Sequence, residues 1–188
     1  MKIRNALVAV LFVAAPAFAQ SDTYVIDGSH TLPQFTINHL GFSIQHGRFD
    51  TTSGKIVLDT VAKTGSVDIS IDTASISTGW AARDEHLKTK DFFNVEKFPA
   101  MTYKSSKLNF DGDKLVSVEG ELTLLGVSKP VTLKVSNFHC GQNPINKKPE
   151  CGAQADAVIK RSEFGMSAYV PAVGDEVTLS IPVEAVKQ

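Results

Sequence analysis

The sequence lacks any surplus of charge. Its 188 residues hold 19 Lys and Arg against 20 Asp and Glu, so it has no basic footprint for a nucleic-acid partner. Cysteine is scarce. With only Cys140, Cys151 and the adjacent His139, the ligand set for structural zinc is incomplete. No apolar run reaches the ~20 residues that a transmembrane helix needs. There is no Gly-x-Ser-x-Gly elbow, no His-Glu-x-x-His pair and no phosphate-binding glycine loop. A metal site from His30, His39 and His46 would need a convergence that spacing does not establish. No catalytic residue, metal or cofactor is therefore assigned, and the chain is predicted not to be an enzyme.

What is present begins with a secretion signal. Lys2 and Arg4 precede an apolar stretch from Ala6 to Ala15, and Ala17-Phe18-Ala19 is a small-x-small cleavage site. Residues 1–19 are read as a cleaved signal peptide and 20–188 as one mature domain in the periplasm or outside the cell. Export permits oxidation, so Cys140 and Cys151 are expected to pair. They flank a loop with Pro144 and Pro149, and closing so short a loop stabilises by about 3 kcal/mol in the chain-entropy picture.

The mature chain alternates. Phe35, Ile37 and His39 share one face of a strand. Val131, Leu133 and Val135 share another, as do Val177, Leu179, Ile181 and Val183. A period of two means one wet and one dry face. Turn signals such as Ser53-Gly54, Asp111-Gly112-Asp113 and Gly174-Asp175 divide the chain into eight predicted strands, near 32–40, 47–59, 64–73, 99–110, 114–124, 129–139, 152–161 and 176–186. Pro182 marks an edge, a bulge or a poorly paired place in the last of them. Between the third and fourth, Trp80–Lys90 breaks the alternation and reads as a helix, capped by Ser77 or Thr78, with Arg83, His86 and Leu87 on one face. Short connections imply antiparallel neighbours, and periodicity alone leaves a sandwich and a closed barrel open.

Four ordered blocks carry a family resemblance. The first is His30, Phe35 to Ser43 (FTINHLGFS) and Gly47-Arg48-Phe49. The second is Arg83 to Lys88 (RDEHLK), continued by Asp91 to Asn94 (DFFN) and Phe98-Pro99. The third runs from Gly120 to Val131 (GELTLLGVSKPV) and the fourth from Ile159 to Met166 (IKRSEFGM). In these the chain resembles the YceI family of bacterial polyisoprenoid-binding, lipocalin-like proteins, over nearly the whole mature length. The resemblance implies an all-β fold, an eight-stranded antiparallel lipocalin-like β-barrel with a short α-helix at the barrel opening. It also implies an exported carrier for a polyisoprenoid lipid, a prenyl pyrophosphate or a quinone, as the ligand.

A flexible branched tail needs an apolar channel with adaptable walls. The candidates are Phe35, Ile37, Phe42, Phe49, Leu87, Phe92, Phe93, Phe98, Met101 and Phe164. Each could equally be a core filler, and the group beside the helix, Phe92, Phe93 and Phe98, is favoured as pocket. A lipid of ~40 heavy atoms at ~0.3 kcal/mol per atom gains ~12 kcal/mol from its tail, a nanomolar affinity. Arg83, His86, Arg48 and His39 are the candidates for a polar or anionic head. The rival readings are a redox accessory or enzyme acting on a quinone-like ligand, and an interaction module with a solid interior. Transient contact with a membrane surface and a homodimer complete the expected partners.

Overall fold

Branched and aromatic residues at alternate positions favour strands, and eleven form among the described residues. They are β1 (Asp22–Ile26), β2 (Gln34–His39), β3 (Ser43–Phe49), β4 (Thr52–Asp59), β5 (Thr64–Asp72), β6 (Ile76–Ser77), β7 (Ala100–Asp111), β8 (Lys114–Leu124), β9 (Val127–Gln142), β10 (Pro149–Lys160) and β11 (Val173–Lys187). The computed structural model describes residues 21–188; the predicted signal peptide lies outside them. Every pairing is antiparallel. The ring runs β1-β4-β5-β7-β8-β9-β10-β11 and closes where β11 pairs β1, which makes an eight-stranded barrel.

The remaining three strands lengthen this wall. β11 pairs β1 at Ala185–Lys187 and β2 at Val173–Ser180. β3 pairs β2 and β6, just as its continuation β4 pairs β1 and β5. So β1 and β2 fill one strand position, β3 and β4 a second, and β5 and β6 a third. The predicted single strand over 47–59 is corrected to two, which meet at Asp50-Thr51. The strand β1 was not foreseen, because five residues are too few to show a period. Pro182 sits in the gap of β11 between its β1 and β2 partners, where no N–H is needed.

Among the described residues one α-helix forms, α1 (Ala81–Lys88), between β6 and β7. Its N-cap is Trp80, with no side-chain cap bond, and not Ser77 or Thr78. Instead Asp84, in the first turn, accepts from the Thr78 N–H at 2.8 Å and from the Thr78 hydroxyl. A carboxylate there also suits the positive helix end.

Two glycines are fixed by what lies over them inside the barrel. A Cβ at Gly47 would stand 2.4 Å from the Phe35 ring, and one at Gly120 would stand 2.7 Å from the Tyr103 ring. The bare backbone at each place leaves room for an aromatic ring. The Tyr103 hydroxyl donates toward the carbonyls of Val118 (3.0 Å) and Val131 (2.9 Å), and burial pushes its pKa up to about 12. At the end away from α1, Cys140 and Cys151 face each other across β9 and β10 and are disulfide-bonded.

Candidate functional site

Inward residues of the eight strand positions do not meet at the axis. They enclose a cavity of about 720 Å³ that runs from Tyr24, Leu58, Cys151 and Ala185 at the disulfide end to Phe92, His86 and Tyr169 at the helix end. Aliphatic and aromatic groups form nearly all of its wall. The interior is neither filled by side chains nor lined by polar groups along its length, so the packed-module reading fails on geometry.

Ten of the sequence-predicted residues line this cavity: Phe35, Ile37, His39, Phe49, Arg83, His86, Leu87, Phe92, Phe93 and Met101. The predicted common face of α1 is real, since Arg83, His86 and Leu87 all point into it. Phe49 bridges Phe35 (centroids 5.9 Å apart) and Phe93 (5.4 Å, edge to face) beneath the helix. Such contacts hold rings in place beyond what area burial does.

Four predicted residues stand elsewhere. Phe42 is 89 % exposed at the tip of the β2–β3 hairpin. Alternation in β3 turns Arg48 outward, where its Nε donates to Asp50 at 2.7 Å. Phe98 packs at the outer end, against Gly126 and under the Lys97 ammonium. Phe164 is fully buried in the core outside the cavity wall. Of the three histidines that spacing did not bring together, His39 and His46 line the opening, whereas His30 pairs with Asp27 at 2.8 Å and lies 3.7 Å from Glu184.

Arg83 is a clamp before it is a ligand. Its Nε donates to the Thr78 hydroxyl and one terminal nitrogen to the Thr78 carbonyl, both at 2.7 Å, while the other reaches Gln45 of β3. The planar fork thereby pins α1 to the barrel rim and leaves part of its donor set free. His86 stands edge to face with Phe92 at 5.1 Å, and Phe92 stacks on Tyr169 at 6.0 Å. Asp84 faces Thr78 while His86 faces this aromatic collar, so the two form no acid–base dyad.

The sequence reasoning missed Trp80, Gln45, Tyr169 and Arg161, all of which line the cavity. Trp80, the only tryptophan, was a visible signal. Tyr169 belongs to an irregular segment with no period to read, and Arg161 was read as the end of a strand although it stands in the fourth of the ordered blocks. Arg161, 2 % exposed, donates to the carbonyls of Gly174 (2.8 Å), Met166 (3.0 Å), Ala168 (2.9 Å) and Val173 (3.0 Å). Burial lowers its pKa, partly offset by Asp175. The Thr52 hydroxyl is buried in the wall with no hydrogen-bond partner among the described residues, so a bound oxygen would find a donor there. Among the described residues no Asp or Glu lines the cavity, whereas two arginines and three histidines do.

Known proteins share this architecture. The YceI-like domain family matches residues 24–185. The YceI protein of Salmonella arizonae is 36 % identical over 183 residues, covering 97 % of this chain and 95 % of that protein. A UPF0312 protein of Pseudomonas aeruginosa is 36 % identical over 186 residues with the same coverage. Among solved structures, the Campylobacter jejuni YCEI protein superposes with a TM-score of 0.72 at 30 % identity, over 80 % of this chain and 90 % of that one. At 18 % identity, a polyisoprenoid binding domain from Saccharophagus degradans has the same fold, with a TM-score of 0.66 over 88 % of this chain and 98 % of that domain.

Proposed function

The chain belongs to the YceI-like domain family, and from that premise we propose that it is an exported carrier that holds a polyisoprenoid lipid inside its barrel, with the polar head at the helix end. The observation that carries this reading is the elongated apolar cavity, which opens beside α1 and is lined by no carboxylate among the described residues. A volume of about 720 Å³ lies in the upper part of the ~300–1,000 Å³ range of ligand pockets. At ~30 Å³ per water-sized group it accommodates about 24 heavy atoms, or about five isoprene units. A longer tail would fill it and extend to the rim.

Arginine and histidine at the rim favour an anionic or neutral polar head, a prenyl pyrophosphate or an isoprenoid quinone, over a cationic one. The Saccharophagus degradans domain of the same fold is described as polyisoprenoid-binding, which agrees with this choice. The Cys140–Cys151 disulfide fits an oxidising compartment. Binding rather than turnover suits a site whose wall is almost wholly apolar and whose Arg83 is held mainly by Thr78 and Gln45.

The test is direct. Protein purified under native conditions is extracted with organic solvent and the extract analysed by mass spectrometry. A stoichiometric prenyl lipid is expected. An empty extract, together with no uptake of added prenyl pyrophosphate or quinone, would falsify the carrier reading.

A further inference from the structure

Resting on the carrier reading, we propose that the helix end of the barrel is a membrane-docking face, with the β2–β3 hairpin tip inserting into the bilayer surface while lipid passes through the mouth. The hairpin turns through Leu40 and Gly41, both at positive φ (57° and 74°), with the Phe42 N–H donating to the His39 carbonyl at 3.0 Å. That is the tight turn whose twist suits a hairpin, but a leucine in the left-handed region is strained. The tip nevertheless carries Leu40 (49 % exposed), Phe42 (89 %) and Ile44 (52 %) into open space.

Charge argues for the occupant. Residues 36–47 contain no Asp, Glu, Lys or Arg, so inserting this hairpin desolvates no fixed charge. Across the mouth, Trp80 is 63 % exposed and Tyr169 57 %, the two residue types enriched at bilayer interfaces. Leu40, Trp80 and Tyr169 also line the cavity. The apolar surface is therefore continuous from the outside of the protein to its interior, and a prenyl chain need not cross water.

At ~150–250 Å² per aromatic side chain, the exposed fractions of Phe42, Trp80 and Tyr169 amount to roughly 300–500 Å², to which Leu40 and Ile44 add, a patch of the size that marks an interaction site. The absence of charge along the hairpin and the opening of the cavity beside it favour a bilayer as the occupant.

The experiment uses the full mature protein, vesicles of phosphatidylcholine with and without phosphatidylglycerol, and the fluorescence of Trp80. Vesicles should shift its emission to the blue, brominated phosphatidylcholine should quench it, and salt should change neither. Phe42→Ser and Ile44→Ser lie outside the cavity wall, so equilibrium affinity for a prenyl phosphate should stay as in the wild type. Phe42→Ser should lower vesicle partitioning and the rate of prenyl transfer from vesicles by about tenfold, the low end for losing one buried phenylalanine.

Unchanged partitioning and transfer in both variants would overturn the proposal. So would binding that needs phosphatidylglycerol and vanishes with salt, or a dimer that Phe42→Ser dissociates without affecting vesicles. If no variant bound prenyl phosphate while partitioning still depended on Phe42, the carrier reading would fail and the docking face would stand.

Discussion

Replacing Arg161 with methionine should destabilise this barrel about as much as truncating a large buried side chain of its apolar wall. The guanidinium is 2 % exposed and has no carboxylate in contact among the described residues; its four bonds go to the carbonyls of Met166, Ala168, Val173 and Gly174. Two effects oppose each other. Removing a buried cation recovers its desolvation cost. The same change leaves four carbonyls without a donor, at ~1–3 kcal/mol for each one that stays dry. The carbonyls cannot be substituted away, and the segment that carries them folds back on Arg161 through the Met166 N–H bonded to the Arg161 carbonyl at 3.1 Å. The second effect wins, and the expected loss is about 4 kcal/mol. With a urea slope near ~2 kcal/mol/M, the unfolding midpoint should fall by about 2 M. Arg161→Lys keeps the charge but offers a point donor in place of a fork, so it should lose about half as much. The assay is equilibrium urea unfolding followed by far-ultraviolet circular dichroism. A midpoint within ~0.3 M of the wild type for Arg161→Met would show that water already satisfies those carbonyls, and the argument would be wrong.

Three further outcomes follow from the geometry. Ala155 is 5 % exposed on the cavity wall, so in Ala155→Phe the new ring should fill the void and weaken prenyl-lipid binding at least about tenfold, at under ~1 kcal/mol in stability; a cost of ~1–3 kcal/mol would reveal a packed interior. Between Asp27 and His30 the linkage has opposite signs at the two pH limits. Hydrogen bonds from Ser29 and His30 lower the Asp27 pKa to about 2, so its contribution is present above the ordinary 3.8 and is lost as pH falls toward 2. His30 is raised, chiefly by its bond to Asp27, so its contribution is full below 6.5 and disappears as pH rises through the raised value. His30→Gln should flatten the decline in thermal midpoint above pH 6.5, and an unchanged slope would refute the pairing. Finally, Cys140→Ser with Cys151→Ser should cost about 3 kcal/mol for the 11-residue separation without slowing ligand exchange, because the disulfide lies at the closed end.

Alternation is a local property, and it fixed the strands wherever a strand was long enough to show it. Val131, Leu133 and Val135 announced the inner face of β9, and Val177 to Val183 that of β11. The face of α1 was legible in the same way, from the spacing of Arg83, His86 and Leu87. β1, β6 and the bend at Asp50-Thr51 were not, because two to five residues carry no period. Phe42, Phe98 and Phe164 have the same chemistry as Phe35 and Phe49. A composition argument had no means to set one at a tip, one at an outer end and one in a sealed core.

By itself, then, the sequence determined which residues of the long strands face in and which face out, where most of the hairpins turn, and that two cysteines stand ready to bond. Only the tertiary structure decided that the sheet closes on itself, because closure depends on β11 meeting β1 some 160 residues away and no local pattern encodes that pairing. Closure in turn sets the radius, and the radius decides whether inward side chains touch. Here they stop short of the axis, and the space left between them is the site.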